Sequence, residues 1–275
     1  MRVRLIIPVW NALEYVKLTL DTLRDNTGYK DYELIVVDNA SDKPTRKFLE
    51  RTTIPDEVIF LKNNVGYPRA CNLAIKRAKS DTEFIGLINS DLILTPDWLT
   101  KLVNLMDTEE KIGILAPVRV GTREGTENEF WVLDHQFEHE GLKAPPYDFN
   151  TPDLKELIRR VMDYNSVLER EFPRRFSTNH HMIPFFCTLI RKKLFDTIGL
   201  LDEDFGMGLV EDVLYCDIAS KYGWQLATRL DTFVYHWMSK SFMTFYRSRE
   251  VMEKVIKENY KVFEAKRNTL VRSVI

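Results

Sequence analysis

Apolar segments of strand length alternate with helix-like segments between residues 3 and 116 of this chain. A strand that returns in parallel needs a crossover connection, usually a helix, so the alternation predicts a parallel sheet wound from β-α-β units. The expected fold class is therefore α/β. The expected strands are residues 3–9, 34–37, 58–61, 84–88 and 112–116.

Polar clusters come directly after these strands. Asp38 and Asn64 follow two of them, and the strand at 84–88 stops at an Asn-Ser-Asp triplet that ends with Asp91. Ligands of such sheets bind beyond the carboxyl ends of the strands, so the clusters predict a binding site at that edge. Asp91 is a candidate ligand for a divalent cation, although a helix-capping loop would produce the same triplet.

Local signals also define the first helix. Asn11 is expected to cap its start, with Glu14 three residues later as in a capping box. Gly28 is expected to end the helix, because glycine is common just beyond a helix terminus.

The second half of the chain breaks the alternation. Residues 121–182 are polar and irregular, and we interpret them as an insertion or lid on one domain that spans residues 1–240. Residues 241–275 are expected to form a helical extension. The other expected elements are a helix at 153–171, strands at 185–191, 225–228 and 232–237, and a long helix at 242–267.

The bulk composition excludes several classes of protein. With 275 residues, 44% hydrophobic and 29% charged, the chain has an ordinary globular composition. Its net charge of -2 lacks the basic footprint of nucleic-acid binding. Three separated cysteines without a Cys-x-x-Cys spacing fit a reducing compartment. The first apolar run is too short for a signal peptide and no run is long enough to span a membrane, so a cytoplasmic protein is expected.

Two nucleotide-binding fingerprints are absent from the sequence. No Gly-x-Gly-x-x-Gly follows the first strand, and no Gly-x-x-x-x-Gly-Lys occurs. The first turn instead reads Pro8-Val9-Trp10-Asn11. A dinucleotide-dependent dehydrogenase or a P-loop enzyme is therefore not expected.

Six segments follow one another along the chain: IIPVWN, IVVDNASD, NNVGYPRACNLAI, INSDLILTPDWL, GLLDEDFGMGLVEDVLYC and VYHWMSKSF. In this order they resemble the motifs of family 2 glycosyltransferases of the GT-A fold. The resemblance implies a mostly parallel, Rossmann-like sheet flanked by helices, with a nucleotide-sugar-binding half at 1–120 and an acceptor-side half at 183–240. It also implies an inverting, hexosyltransferase-type enzyme of polysaccharide biosynthesis that uses a nucleotide diphosphate donor.

The resemblance assigns the nucleoside contacts to the ends of the first two strands. Trp10 stands where relatives place a residue against the nucleobase, and a flat indole can stack there. Asp38 matches a position that contacts the base or ribose, and Asn39 replaces a second Asp found in some relatives. A core aromatic and a turn-forming Asp-Asn pair are the structural alternatives. The full implied donor set is Pro8, Trp10, Asn11, Asp38, Asn39, Gly66, Arg69, Asn72, Asn89, Ser90 and Asp91.

The resemblance also points to the start of the helix after the third strand. Gly66 would allow close backbone approach, and Arg69 would favour a phosphate. A solvated surface charge is the alternative for Arg69. Asn72 is expected to hold the loop in place.

A metal site is implied where Asn89-Ser90-Asp91 stands in for the family's Asp-x-Asp motif. Only its last position is acidic, so Asp91 would bind Mn²⁺ or Mg²⁺ directly, and His236 would complete the shell. Asn89 and Ser90 could hold ribose or a metal-bound water. With one carboxylate, the ion would be held weakly without the donor diphosphate. A structural histidine is the alternative for His236.

Glu211-Asp212 matches the family's catalytic acidic pair. Asp212 is the expected general base, since the reaction needs a carboxylate within reach of the acceptor hydroxyl. Glu211 would orient the acceptor or the base, and the turn at 205–208 would act as a gate. Asp202 is a further candidate for acceptor contact. The alternative for the pair is a helix start that favours acidic residues.

The remaining candidates are histidine pairs and the C-terminal helix. His180 and His181 are expected to make loop or acceptor contacts, and the i, i+4 spacing of His135 and His139 would suit a metal only on a helix. The C-terminal helix is expected to pack on its own domain or on a second copy, and peripheral contact with the inner face of a membrane is its alternative.

Other function classes stay open at this point. A sugar nucleotidyltransferase would share the sheet, but it usually carries a glycine-rich loop where residues 8–11 have none. An inactive sugar-nucleotide-binding relative would fit the incomplete Asp-x-Asp motif. UDP-, dTDP- and GDP-linked donors, and glycan, glycolipid or protein acceptors, are all compatible with the sequence.

Overall fold

A computed structural model of the chain describes residues 1–120, 137, 141–145, 147–178, 180–237 and 249–273. The strands are β1 (Val3–Val9), β2 (Tyr32–Asp38), β3 (Glu57–Phe60), β4 (Phe84–Ile88), β5 (Leu92–Leu94), β6 (Ile112–Val120), β7 (Phe176–Ser177), β8 (Cys187–Arg191) and β9 (Gln225–His236). The helices are α1 (Leu13–Asn26), α2 (Lys43–Leu49), α3 (Tyr67–Ile75), α4 (Trp98–Thr108), α5 (Leu154–Glu171), α6 (Lys192–Ile198), α7 (Glu211–Lys221) and α8 (Arg249–Ser273), with a 3-10 turn at Glu203–Phe205.

The described strands form one sheet in the order β3-β2-β1-β4-β8-β6-β9-β5, and β7 pairs with β9. The block β3-β2-β1-β4 is parallel. Beyond it the sheet is mixed, because β8 runs antiparallel to both β4 and β6. The parallel block confirms the α/β fold predicted from the alternation. It also places the ends of β1 and β2 side by side, with Val9 in register with Asp38.

The parallel block is buried on both faces. Successive strand residues point to opposite faces, and Leu5, Ile6 and Ile7 all have at most 1% exposure. This double burial explains why the strands read as continuous apolar runs instead of alternating ones. The same core cluster includes buried side chains from α1, α3 and α4.

Helix α5, within the expected insertion, packs on the sheet. Its Tyr164 ring contacts the Phe233 ring of β9 edge-on, with 5.0 Å between the ring centroids. Asn165 accepts hydrogen bonds from the Phe233 amide (3.0 Å) and from the Thr95 hydroxyl (3.0 Å). The expected histidine pair His135 and His139 lies outside the described residues.

The start of α1 differs from expectation. Asn11 does not cap the helix; the capping position is Ala12, and it makes no side-chain cap hydrogen bond. Both residues have a φ of 59°, and the Asn11 side chain accepts from the Asp42 amide instead (2.7 Å). The helix ends at Asn26 with Thr27 as its C-cap, so Gly28 lies just beyond the terminus, where it was expected.

The end of the chain also differs from expectation. The two short strands expected at 225–228 and 232–237 are one strand, β9, because its pairing with β6 continues across a register shift. Helix α8 is described from Arg249, and residues 238–248 lie outside the described part.

Candidate functional site

The turns after β1 and β2 are joined by hydrogen bonds. The Asn11 amide donates to the Ser41 hydroxyl (2.9 Å), and the Asn39 amide donates to the Val9 carbonyl (2.8 Å). Trp10 is half-buried, so its indole is not enclosed in the core. Pro8 lies in β1 opposite Val37 and is half-buried as well. The two predicted nucleoside-binding turns are therefore one continuous surface.

Asp38 is fully buried at the end of β2. Its Oδ1 accepts from the Ser41 amide (2.9 Å), and its Oδ2 lies 3.4 Å from the Arg46 guanidinium. The first contact closes a turn, as in the alternative interpretation of Asp38-Asn39 as a turn-forming pair. The second is a hydrogen bond from the half-buried Arg46 to the other oxygen, so Asp38 would have to exchange a present contact to accept from a donor nucleoside.

Asn39 connects these turns to the loop before α3. Its side-chain oxygen accepts from the Val65 amide (2.8 Å), and its side-chain nitrogen donates to the Gly66 carbonyl (3.3 Å). Both amide atoms thus bind the neighbouring loop. Three strand ends are fixed to one another in this way.

Gly66 makes a close backbone contact with the turn before α7. It has a φ of 86°, and a Cβ atom there would lie 1.8 Å from the Gly206 carbonyl oxygen. The next amide, of Tyr67, donates to the Met207 carbonyl (3.3 Å). The close approach predicted for Gly66 is thus made by the protein's own backbone.

Arg69 and Asn72 both contact the segment that follows α6. The exposed Arg69 side chain lies 3.6 Å from the Glu203 carboxylate. Asn72 is 1% exposed; it donates to the Leu201 carbonyl (2.8 Å) and accepts from the Leu201 amide (3.1 Å). The expectation that Asn72 holds a loop fits these contacts. A direct contact between Asn72 and the donor would require it to give up these bonds.

Asp91 and His236 meet because of strand register. Leu92, the first residue of β5, pairs with His236, the last residue of β9. Asp91 Oδ1 consequently lies 3.1 Å from His236 Nε2, and the Trp237 amide donates to the Asp91 carbonyl (3.1 Å). Both residues are buried, with 6% and 5% exposure.

The remaining members of the triplet lie at the same place. The Asn89 side-chain nitrogen is 3.3 Å from His236 Nε2, and the Asn89 amide donates to the Phe186 carbonyl (2.7 Å). Ser90 is buried, with 6% exposure. The Phe186 ring stacks on the imidazole at 5.6 Å and 13°.

A divalent ion fits this pair as a two-ligand site. A carboxylate and an imidazole suit Mn²⁺, and ions of this class usually keep several waters or substrate oxygens. Nε2 is the ring nitrogen that faces Asp91 and would be the ligand. Nδ1 of the same ring is buried and has no hydrogen-bond partner among the described residues. Within the same described residues, no three His, Cys, Asp or Glu side chains converge as a metal cluster. The remaining ligands would have to come from substrate and water.

Asp212 lies at the start of α7, held by two backbone amides. Phe185 donates to its Oδ2 (3.4 Å) and Val213 to its Oδ1 (2.9 Å). Burial raises the pKa of Asp212, while these amides and the positive charge of Arg119 oppose the rise. Burial also lowers the pKa of Arg119 to about 10, and its guanidinium lies over the Phe186 ring at 5.1 Å.

Phe185 and Phe186 therefore connect the Asp91–His236 pair to Asp212. Phe186 contacts Asn89 and His236, while Phe185 donates to Asp212 and accepts from the Tyr67 hydroxyl (2.9 Å). Sequence reasoning missed this link and missed Arg119. A single arginine inside the apolar strand IGILAPVRV was the available signal for Arg119.

Glu211 occupies a different position from its neighbour. Its side chain is buried, with 6% exposure, and its Oε2 has no hydrogen-bond partner among the described residues. Burial and the adjacent Asp212 raise the pKa of Glu211 to about 8.

Asp202, the further acceptor candidate, accepts from the Asp204 amide (2.9 Å) and pairs with Lys266 (2.6 Å). His181 is exposed and His180 is half-buried.

Residues 5–199 match the sequence model described as "Glycosyl transferase family 2". The chain belongs to glycosyl transferase family 2. The resemblance drawn from its six segments is thereby confirmed.

Two curated proteins are similar to parts of this family member. The O-antigen biosynthesis protein RfbC of Myxococcus xanthus is 24% identical over 220 residues, which are 74% of the chain and 15% of RfbC. The uncharacterized glycosyltransferase YfnE of Bacillus subtilis (strain 168) is 28% identical over 114 residues, which are 41% of the chain and 29% of YfnE. The chain thus spans less than a third of either relative.

Solved structures confirm the GT-A fold expected for this family. The mannosyltransferase PcManGT from Pyrobaculum calidifontis, in complex with GDP-Man and Mn²⁺, aligns with a TM-score of 0.59 at 17% identity, covering 87% of the chain and 57% of PcManGT. S. aureus TarS 1-349 in complex with UDP aligns with a TM-score of 0.55 at 19% identity, covering 93% of the chain and 64% of TarS 1-349. Among the described residues, no helix has the length and apolarity needed to cross a bilayer.

Proposed function

We propose that the chain is a glycosyltransferase that moves a sugar from a nucleotide diphosphate donor to an acceptor hydroxyl with inversion. The observation that carries the proposal is the short path from Asp91 to Asp212, in which His236 and residues 185 and 186 are the intermediate contacts. Family membership supports the transfer chemistry. The GDP-Man and UDP bound by PcManGT and TarS support a nucleotide donor, and RfbC's part in O-antigen biosynthesis supports a glycan acceptor.

The donor is proposed to lie along the ends of β1, β2 and β4. Trp10 would stack on the nucleobase, and Asp38 would accept from the base or ribose. Asp91 and His236 would hold Mn²⁺ or Mg²⁺, which when bound supplies positive charge opposite the donor diphosphate. The Mn²⁺ in the PcManGT complex supports this assignment.

Asp212 is proposed to act as the general base. It would take the proton of the acceptor hydroxyl, whose oxygen forms the new bond to the anomeric carbon as the bond to the diphosphate breaks. Attack opposite the leaving group inverts that carbon. The raised pKa of Asp212 makes its carboxylate a stronger base, and Arg119 beside it favours the ionised form.

The test is Asp212→Asn, assayed for nucleoside diphosphate release from UDP-, dTDP- and GDP-sugars with Mn²⁺. We expect transfer to fall about 10² to 10⁴-fold, since this is the usual contribution of a positioned base, with donor affinity retained. Asp217→Asn, on the same helix, is the matched control. Unchanged turnover in Asp212→Asn would refute the base assignment.

The two rival functions predict different substrates and products. A sugar nucleotidyltransferase would release pyrophosphate from a nucleoside triphosphate and a sugar phosphate. An inactive relative would bind a nucleotide-sugar, with stabilisation by mass action, but would turn over none of the panel.

A further inference from the structure

Tyr67, the first residue of α3, contacts two segments of the site that are distant in the chain. Its hydroxyl donates to the Phe185 carbonyl (2.9 Å), and its amide donates to the Met207 carbonyl (3.3 Å). Burial, with Cys71 beside it, raises the pKa of Tyr67 well above its ordinary value. The hydroxyl therefore keeps the proton that it donates at any working pH.

The carbonyl that accepts from Tyr67 belongs to a tight turn before β8. The Phe186 amide donates to the Pro184 carbonyl (3.0 Å), which also accepts from the Thr188 hydroxyl (3.0 Å). The first of these bonds spans three residues, as in a γ-turn, so the two peptide groups of the turn are held in a fixed relation. A bond to one of these groups therefore helps to hold the other.

The second peptide group of this turn donates to the proposed base. The Phe185 amide donates to Asp212 Oδ2 at 3.4 Å, which is long for a hydrogen bond. A small movement of the turn therefore decides whether Asp212 keeps this contact. The Asn89 amide fixes the end of the turn through the Phe186 carbonyl (2.7 Å), and the Tyr67 hydroxyl fixes its middle.

We propose that Tyr67 is a positioning residue for Asp212, because its hydroxyl holds the turn at 184–186 where the Phe185 amide reaches the carboxylate. The inference rests on the proposed function, in which Asp212 is the general base. A carboxylate that accepts from an amide is stabilised in its charged form, so this contact affects how readily Asp212 takes a proton. Tyr67 acts through the turn and not on the reacting atoms.

The surroundings of Asp212 allow this effect to be measured. Among the described residues, the ionisable side chains that interact with Asp212 are Glu211 and Cys216 on its own helix, Arg119 on β6 and Tyr67 on α3. Tyr67→Phe leaves the first three in place, and it removes no charge because the tyrosine is neutral. A change in the pKa of Asp212 would therefore report the loss of the hydrogen bond.

The test is Tyr67→Phe in the full chain, with the pKa of Asp212 measured from the carbon-13 NMR signal of its carboxyl group. Asp212→Asn assigns that signal. Without the hydroxyl the turn can move and the amide contact weakens, so the pKa of Asp212 should rise by about 1 pH unit. The acid limb of the kcat profile should move to higher pH by the same amount, with the KM for the donor unchanged.

Tyr215→Phe is the matched control. The Tyr215 hydroxyl also donates to a backbone carbonyl, that of Gly199 (3.2 Å), and its ring lies edge-on to the Phe185 ring at 5.9 Å. This variant loses the same type of bond beside the same turn. Like Tyr67→Phe it should unfold at a lower urea concentration than the wild type, but the pKa of Asp212 should keep its wild-type value.

Thr188→Val tests the turn independently, because it keeps the branched shape and removes the other side-chain donor to the turn. It should also raise the pKa of Asp212. An unchanged pKa in either variant, or an equal rise in Tyr215→Phe, would overturn the proposal. The NMR titration needs no turnover, so a raised pKa in a chain that transfers no sugar would support the role of Tyr67 and reject the proposed function alone.

Discussion

At the scale of single residues, Asp91 and His236 depend on each other. Each is buried, and each has the other as its charged or ionisable neighbour at 3.1 Å. Such a pair in the absence of a cation is an ion pair only when the imidazole is protonated. A divalent ion bound beside both would instead satisfy the carboxylate and a neutral ring together.

Asp91→Asn should remove most of the effect of metal on donor binding. The amide keeps the shape of the side chain but loses the charge, so nucleotide-sugar affinity in Mn²⁺ should fall at least about tenfold, with a smaller change in its absence. Calorimetry with and without Mn²⁺ measures this difference. Asp97→Asn, exposed at the start of α4, is the control. An Asp91→Asn chain that retains the full Mn²⁺ effect would show that the metal binds elsewhere.

The Glu211 carboxyl makes stability depend on pH. Its pKa is raised to about 8 in the folded chain, so between pH of about 4.5 and 8 the native state holds a proton that the unfolded state has lost. The free energy of unfolding of the wild type therefore falls as the pH rises through that window. Gln cannot ionise, so the variant lacks this dependence on pH. The free energy of unfolding of Glu211→Gln minus that of the wild type should therefore increase from about pH 5 to about pH 8 and then level off, as linkage requires.

Urea unfolding at several pH values measures this difference. Glu258→Gln, at an exposed position on α8, is the control and should give a flat difference. A flat difference for Glu211→Gln as well would contradict the raised pKa.

At the scale of elements, α8 holds the turn that leads into α7. Leu209 and Val210 both have a positive φ, of 76° and 79°, which is uncommon for residues with such side chains. Asn259 of α8 is buried and donates to the carbonyls of Gly208 (3.0 Å) and Leu209 (2.8 Å). The surrounding apolar cluster includes Phe263 of the same helix. Helix α8 thus supports the conformation that precedes Glu211 and Asp212.

Asn259→Ala should lower both stability and turnover. Two carbonyls lose their donor in a buried place, so the free energy of unfolding should fall by about 1–3 kcal/mol. The turnover number should fall while donor affinity is kept, because the turn before Asp212 loses its support. Lys257→Ala, exposed on α8, should change neither quantity. Loss of donor affinity in Asn259→Ala would instead indicate general unfolding.

At the scale of the whole molecule, a backbone contact joins two distant parts of the chain. Gly66 lies against Gly206, and a Cβ atom at residue 66 would collide with the Gly206 carbonyl. Gly199 has a similar φ of 91°, but a Cβ atom there would meet nothing within 4 Å. Alanine substitutions at the two positions therefore separate the cost of a positive-φ backbone from the cost of a collision.

Gly66→Ala should be much more damaging than Gly199→Ala. Both should lose about 1–3 kcal/mol of unfolding free energy from the positive-φ backbone, and Gly66→Ala should lose at least ~1 kcal/mol more from the displaced turn. Thermal or urea unfolding of both variants measures the difference. Equal losses would mean that the two loops can separate freely.

Much of this molecule could be predicted from its sequence. The apolar runs of the parallel block and the polar residues at their ends, such as Asp38 and Asp91, follow from local pattern. The contacts of Arg119 and Phe186 could not be predicted, because they arise where β6, β8 and β9 lie next to one another out of chain order. The partners of Gly66 were equally hidden, since a glycine pattern does not say which backbone approaches it.

Strand β9 has a consequence for how the family site can vary. The same twelve residues carry Phe233 against α5 and His236 against Asp91. A substitution in α5 that shifts Phe233 would also change the direction of the His236 imidazole three residues later, although it touches no residue of the site. The packing of α5 on β9 therefore limits which substitutions α5 can accept without disturbing the Asp91–His236 pair.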